Sequence, residues 1–438
     1  MTNPIRVFKF GGASLRDADN VKNVANILTK YKEERIFIVV SAMGKTTNAL
    51  EKVVESHAQK NGKTFELLEE VKKKHYELAS QLFPEKHEVY TTINDSFVEI
   101  EWAIEDEPHD NYDYMYDQIV SVGELVSSRI VSAYLNEQNL PTQWLDARDV
   151  ILTDDIFREG WVQWKETQER ADRIARPMMD KGGFVITQGF IGSTTENFTT
   201  TLGREGSDYT AAIFSYCLDS QDMSIWKDVP GVLTADPRIF DNVVKIDRLS
   251  YKEAIEMTYY GAKVIHPKTI KPIQNKSIPL YVKSFIDPDG EGTYISSEIE
   301  DNYPAMVAVE RDQALMLIST RDFSFVAEHH MSYLFTEIAN RRLQVNMMQN
   351  TAISFGVCVN DTDDKVDQFA EAIKDNFKVI IDRGLELITV RHYTAEVLES
   401  LKRGKIVLQE KRTKNTVQFV VKHVPVIRRK SNVPSDLR

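Results

Sequence analysis

Six short stretches of this chain place charged, hydroxyl and glycine residues where an anion could be held. The first is KFGGAS, Lys9–Ser14. A lysine at a strand end, two glycines (Gly11 and Gly12) and a helix start suit a phosphate. Glycine lets a backbone N–H approach an oxyanion, and a helix terminus adds positive field. The same residues also fit a tight strand-to-helix turn that merely needs glycine. SAMGKTTN, Ser41–Asn48, carries the tail of a P-loop, but that loop needs glycine at position 39, which is Val39. Ser41 and Thr47 instead offer hydroxyls at the C-terminal edge of a strand, where ligands of open α/β sheets bind. GELVSSRI puts Glu124 on an apolar helix. A buried carboxylate needs a partner. The partner is either an arginine such as Arg129 or Arg148, or the ammonium group of a substrate.

TTTLGREGSDYTAA, Thr199–Ala212, is the richest stretch. Ser207 or Asp208 could cap the helix that follows. Arg204 has the planar fork that grips a carboxylate or phosphate. The plain alternative is a capped helix entry with a surface ion pair, but the density of hydroxyl and glycine residues favours an anion site. IWKDVPGVLTADPR runs from a strand into Pro and Gly turns, with Lys227, Asp228, Asp236 and Arg238 supplying charge. GAKVIHP adds Lys263 and His266. His266 precedes a proline, which sets it in extended backbone, and it reads as structural. The other histidines are scattered without metal-ligand spacing. Cys217 and Cys358 lie far apart in apolar stretches with no CxxC, so no zinc site is expected.

Three regions must position these residues. The first opens with a strand over Ile5–Phe10, a helix over about 17–31 and the apolar run Ile36–Ala42, which reads as a buried parallel strand. This is a βαβ unit. Residues 48–135 read as a helical excursion beside the sheet, after which the βα rhythm resumes. An α/β domain is expected over 1–295, ending near the turn-rich segment Asp287–Tyr294. Residues 303–438 read as strand, helix, hairpin and helix, and then the pattern repeats. The fold class expected is a mostly parallel α/β sheet flanked by helices, followed by a tandem α+β repeat.

Bulk properties narrow the function. The 438 residues suffice for two or three cores, and 42% hydrophobic with 27% charged residues is ordinary for a globular protein. A net charge of -12 argues against nucleic-acid or anionic-membrane partners. No apolar run approaches the roughly 18 residues that span a bilayer, and the N-terminus lacks the apolar core of a signal peptide. With two isolated cysteines, the expected location is cytoplasmic.

KFGGAS, VVSAMGKTTN, GELVSSRI, LDARDVILTDD, VITQGFIGS, TTTLGREGSDYTAA, WKDVPGVLTADPR and GAKVIHPKTI occur in the order seen in aspartate kinases. The chain resembles that family of the amino acid kinase superfamily over nearly its whole length, and the C-terminal repeat resembles its paired ACT domains. The resemblance implies phosphorylation of the L-aspartate side chain by ATP with Mg²⁺. It implies that Lys9 contacts the transferring phosphoryl group and that Asp208 organises it. Ser41, Thr47, Glu124, Arg204 and Ser207 would hold aspartate, with Arg204 on a carboxylate and Glu124 on the ammonium. Lys9, Gly11, Gly12, Lys227, Asp228, Leu233, Arg238 and Lys263 would hold ATP. A homodimer through the ACT domains is expected.

Three positions depart from the family's pattern: Glu205 stands for the middle glycine of GRGGSD, Lys227 for a threonine and Leu233 for a tyrosine. In lysine-inhibited members two carboxylates near the first ACT hairpin bind the effector. Here those positions are Asn346 and Ala352, while Gln349 and Asn350 resemble the amide pair of threonine-sensitive members. Threonine is therefore a better expected effector than lysine. The rival readings are a kinase for glutamate or acetylglutamate and a catalytically silent amino-acid sensor. The length and the lack of a GxGxxG after the repeat argue against a fused homoserine dehydrogenase.

Overall fold

The computed structural model describes residues 3–261, 265–297, 302–321 and 325–423. The chain forms two compact units. One comprises Met1–Leu233, Lys245–Tyr259 and Lys263–Asp301, and the other Thr234–Val244, Tyr260–Ala262 and Asn302–Arg438.

The first unit is built on β1 (Ile5–Phe10), β2 (Arg35–Val40), β3 (Thr142–Leu145), β4 (Phe184–Gln188), β7 (Asp222–Lys227), β8 (Arg248–Ser250), β9 (Leu280–Ser284) and β10 (Thr293–Ser296). A separate small hairpin pairs β5 (Ile191–Ser193) with β6 (Thr199–Thr201). Among the described residues the main sheet has the order β3-β4-β2-β1-β7-β9-β10-β8, parallel throughout except between β9 and β10. The central strands are apolar without alternation because helices cover both faces. Ile36, Phe37, Ile38, Val39 and Val40 of β2 are all fully buried.

The first crossover helix is Ala18–Thr29, and Asp17 caps it by accepting the Asn20 N–H at 2.9 Å. Its face of Val21, Val24 and Leu28 packs on the sheet, as the spacing predicts. The helical excursion resolves into five helices: Thr46–Ala58, Thr64–Ser80, Val89–Glu105, Tyr112–Val120 and Val122–Glu137. The last of these is buried almost all round and packs on the sheet beside β3 and β4.

The second unit contains β11 (Met306–Thr320), β12 (Val345–Asn350), β13 (Ser354–Asn360), β14 (Phe377–Arg391), β15 (Lys405–Arg412) and β16 (Thr416–His423) in the order β12-β13-β11-β14-β16-β15. The expected repeat is present, and its two copies share the long strands. Gln313–Thr320 of β11 pairs with β13 and with the first half of β14. Met306–Glu310 pairs instead with the second half of β14, which continues to β16. The break falls at a bulge around Asp312, whose φ is 53°. The first copy buries its core under helices Glu328–Asn340 and Lys365–Ile373. The second does so under Ala395–Lys402. In chain order the second copy therefore encloses the first. The segment Thr234–Val244 joins this unit through Phe240, which packs against the second core, and through the Val307 N–H, which donates to the Thr234 carbonyl at 2.8 Å.

Among the described residues no helix is long and apolar enough to cross a membrane.

Candidate active site

The order of the parallel strands reverses at β1, with β2 on one side and β7 on the other. Such a switch point opens a crevice at the C-terminal strand ends. Lys9 stands near the end of β1, Ser41 follows β2, and Lys227 ends β7. Helix Gly206–Cys217 brings its first turn to the same place, carrying Ser207 and Asp208.

Lys9 is 8% exposed and Asp208 3%. The Lys9 Nζ lies 2.6 Å from Asp208 Oδ1, and the Lys227 Nζ lies 3.9 Å from Oδ2. Burial alone would push the Asp208 carboxyl up, but the two lysines outweigh it and hold the group below the usual carboxylate range. Two ammonium groups on one carboxylate leave an excess positive charge in a chain of net charge -12. Gly11 and Gly12 turn the chain from β1 into a short 3₁₀ helix, where the Ser14 N–H donates to the Gly11 carbonyl at 2.9 Å. Gly12 has to be glycine, because a Cβ there would sit 2.8 Å from the Ala42 carbonyl oxygen. The end of β1 is tied to the end of β2 by the Ser41 N–H, which donates to the Phe10 carbonyl at 3.1 Å, and by the Gly44 N–H, which donates to the Gly12 carbonyl at 3.0 Å. The Ser41 Oγ donates to the Ser207 Oγ at 2.8 Å, joining the β2 end to the helix. The expected capping by Ser207 or Asp208 is not found. Glu205 occupies the cap without a side-chain bond, which leaves Ser207 and Asp208 turned to Ser41 and Lys9.

Glu124 lies in the first turn of Val122–Glu137 and is 3% exposed. Its Oε1 accepts the Ala42 N–H at 3.3 Å, and its Oε2 has no hydrogen-bond partner. Neither expected arginine reaches it. Arg129 donates to Ser96 and stacks on Trp144, while Arg148 pairs with Asp146 at 2.8 Å and Glu99 at 3.0 Å. Burial raises the Glu124 carboxyl to about 8, opposed by the Ala42 N–H and by the field of Lys9. Thr47 is half-buried in the first turn of Thr46–Ala58, while its neighbour Thr46 turns inward to the Met43 carbonyl at 2.7 Å.

Arg204 is exposed in the turn ahead of Ser207. Glu205, at the position where the resembling family has glycine, adopts φ 54° and ψ 28°. A left-handed backbone costs a non-glycine residue roughly 1–2 kcal/mol. Its Oε2 is also buried without a partner. Glu205→Gly gains that relief and loses part of it to unfolded-chain entropy, so a net stabilisation of about 1 kcal/mol is expected. A thermal midpoint that falls in this variant would contradict the assignment of strain. His266 caps helix Pro267–Asn275, its Nδ1 accepting the Lys268 N–H at 3.2 Å, in keeping with a structural role.

The residues expected around ATP are spread more widely. Asp228 is exposed just past β7, and Leu233 bridges to Lys245. Arg238 belongs to the second unit and pairs with Asp236 at 2.7 Å. Lys263 lies outside the described residues. In the second unit, Asn346 donates to Gln313 at 2.8 Å and to Asn360 at 2.7 Å, and Gln349 accepts from Gln409 at 2.8 Å. Asn350 is exposed at the end of the edge strand β12.

Sequence reasoning overlooked Asp117, which is fully buried in helix Tyr112–Val120. It accepts the N–H groups of Arg158 and Thr201 at 2.9 and 2.8 Å and the Thr201 hydroxyl at 2.7 Å. The signal was available: an acid among apolar helix residues, the same pattern that singled out Glu124.

Residues 4–284 match the amino acid kinase family. The chain is 33% identical over 368 residues to lysine-sensitive aspartokinase 3 of Escherichia coli K12, covering 82% of this chain and 79% of that protein. The crystal structure of E. coli aspartokinase III with aspartate and ADP superposes with a TM-score of 0.82 at 28% identity, covering 95% of this chain and 96% of that one. The same enzyme with lysine and aspartate gives 0.76, also at 28% identity, over 95% of each chain. A parallel sheet with its lysine–aspartate cluster at the switch point, a second unit of paired repeats, and these likenesses over nearly the full length agree: the chain belongs to the amino acid kinase family, and within it to the aspartate kinases.

Proposed function

We propose that the chain transfers the γ-phosphoryl group of ATP to the side-chain carboxylate of L-aspartate, giving 4-phospho-L-aspartate. This is the first step towards the aspartate-derived amino acids lysine, threonine and methionine. The observation that carries the reading is Glu124, a buried carboxylate with one oxygen unpartnered, within the field of Lys9. A buried acid beside a cationic phosphate site is suited to hold a ligand that is both an ammonium and an anion.

The side-chain carboxylate of aspartate is ionised near neutral pH, so the nucleophile needs no general base. One of its oxygens forms a bond to the γ-phosphorus as the bond from that phosphorus to the bridging oxygen breaks, and the electron pair leaves with ADP. The difficulty is electrostatic, and catalysis consists of positioning and charge neutralisation. Lys9 faces the transferring group, and Asp208 holds Lys9 and Lys227 in place. Gly11, Gly12, Asp228, Leu233 and Lys263 serve the nucleotide. Among the described residues no three His, Cys, Asp or Glu side chains gather to hold a metal ion. Mg²⁺ is read as part of the ATP substrate, carried on its phosphates. Thr47, Ser41 and Ser207 line the aspartate side, and Arg204 grips the α-carboxylate. Arg204→Ala is expected to raise the KM for aspartate about tenfold or more with a smaller change in kcat, because it touches a non-reacting group. Steady-state kinetics in both substrates check this, and a shift confined to the KM for ATP would move Arg204 to the nucleotide side.

Trapping the acyl phosphate with hydroxylamine tests the reaction itself. Aspartyl hydroxamate is expected with aspartate and ATP, and little product with glutamate. A preference for glutamate, or no turnover at all, would replace this reading with a different kinase or a silent sensor.

For regulation we favour threonine over lysine. The E. coli enzyme was solved with lysine, but Asn346, Gln349 and Asn350 of this chain offer amides and no carboxylate to an ammonium group. Among the described residues β12 and β15 are the edge strands of this sheet, and a second subunit that covers such edges would protect them, which supports a homodimer through the repeats.

A further inference from the structure

Loop 154–160 and helix Tyr112–Val120 carry a charged cluster that the mechanism above does not use. At its centre is Arg158, a non-glycine residue held at φ 68°. Two independent sets of contacts fix it. Its backbone N–H donates to Asp117, which is fully buried and simultaneously holds the N–H and hydroxyl of Thr201. Its guanidinium carbon lies over the Tyr116 ring, 4.1 Å from the centroid, and its nitrogens lie 3.6 Å from Glu51 and 3.5 Å from Asp113. A backbone bent against its preference persists only where the surroundings over-determine it. Here a buried acid, an aromatic face and two carboxylates do so.

The elements joined by this cluster are those that hold the amino-acid substrate. Glu51 stands one turn beyond Thr47 on helix Thr46–Ala58, so the two share a face. The Arg158 carbonyl oxygen packs on Gly203, where a Cβ would come within 3.3 Å of it, and Gly203 directly precedes Arg204.

We propose that Arg158, anchored through Asp117, is a positioning residue for the amino-acid half of the site. It fixes Thr47 and Arg204 relative to one another and does not touch the nucleotide. This rests on the reading of Thr47 and Arg204 as aspartate-binding groups. The planar fork matters because one side chain must stack on Tyr116 and face carboxylates on two helices at once, which a lysine does only in part.

The test is steady-state kinetics of the full-length enzyme in both substrates, with thermal midpoints, for wild type, Arg158→Ala, Arg158→Lys and Glu51→Gln. Small misplacements remote from the chemistry cost up to about a hundredfold. An increase of about tenfold in the KM for aspartate is expected for Arg158→Ala, with the KM for ATP within about twofold of wild type and partial recovery in Arg158→Lys. Glu51→Gln should move the same parameter in the same direction by less, and it carries the test should Arg158→Ala fail to fold. Equal rises in both KM values, or no change in either, would overturn the proposal. If wild type turns over a different amino acid, the proposed substrate is wrong, but the same ratio measured with that amino acid still decides the role of Arg158.

Discussion

Lys9→Met is expected to lower kcat by about 100-fold or more, with a smaller effect on the KM for aspartate. Methionine matches the length and apolar stem of lysine, so the packing along β1 is retained while the charge is lost. On the proposed reading that charge faces the group that gains negative charge as the phosphoryl passes between two anions, so its loss would fall on the transition state. Asp208 keeps a second cation, since the Lys227 Nζ remains 3.9 Å from its Oδ2. The fold should therefore survive with only a modest drop in thermal midpoint. The converse change, Asp208→Asn, would leave both lysines without their anchor. A near-normal kcat in Lys9→Met would refute the assignment.

Glu124→Gln is expected to raise the KM for aspartate by about 100-fold, the cost of leaving a buried ammonium without its counter-ion. It should also remove a pH dependence that wild type has. Burial raises the Glu124 carboxyl from 4.5 to about 8, against the pull of the Ala42 N–H and Lys9. At neutral pH the ligand-free protein thus holds a proton there, and an ammonium ligand must displace it. The wild-type KM for aspartate should fall as pH rises from 6 to 8, while that of the glutamine variant stays flat. The folding linkage has the opposite sign. Between about pH 4.5 and 8 the folded chain keeps a proton that the unfolded chain has lost, so this stability contribution is lost as pH rises through the window. Adding aspartate should restore it. A KM that does not change with pH in the wild-type enzyme would separate Glu124 from the substrate ammonium.

Much of the catalytic unit could be read before the structure was known, because its signals are local. An unbroken apolar run marks a buried parallel strand, whereas two glycines after a strand and an acid inside an apolar helix each fit two readings. The lysine–aspartate pair was legible only through resemblance. Lys9 and Asp208 are 199 positions apart in the sequence, and only the parallel pairing of β1 with β7 and the packing of helix Gly206–Cys217 bring them together. The capping of that helix was misjudged, because hydroxyl and acidic residues at a helix start usually serve the backbone, whereas here Ser207 and Asp208 face other strands. Sharing of β11 and β14 by the two repeats was invisible, since a 15-residue strand with a bulge reads locally like any other. So was the attachment of Thr234–Val244 to the second unit, which depends on Phe240 finding a distant core and on the Val307 N–H reaching the Thr234 carbonyl. Glu205 and Arg158 share a different lesson: both adopt positive φ without being glycine, and no sequence pattern announces that.

On the proposed reading the switch-point cluster brings the carboxylate of an amino acid into line with a phosphoryl group while Glu124 holds its ammonium. A crystal structure with L-aspartate and a non-hydrolysable ATP analogue tests it most directly. The ammonium is expected on Glu124 Oε2, with the side-chain carboxylate facing the γ-phosphate and Lys9 in contact with that phosphate. Aspartate bound elsewhere, or a γ-phosphate remote from Lys9, would contradict it.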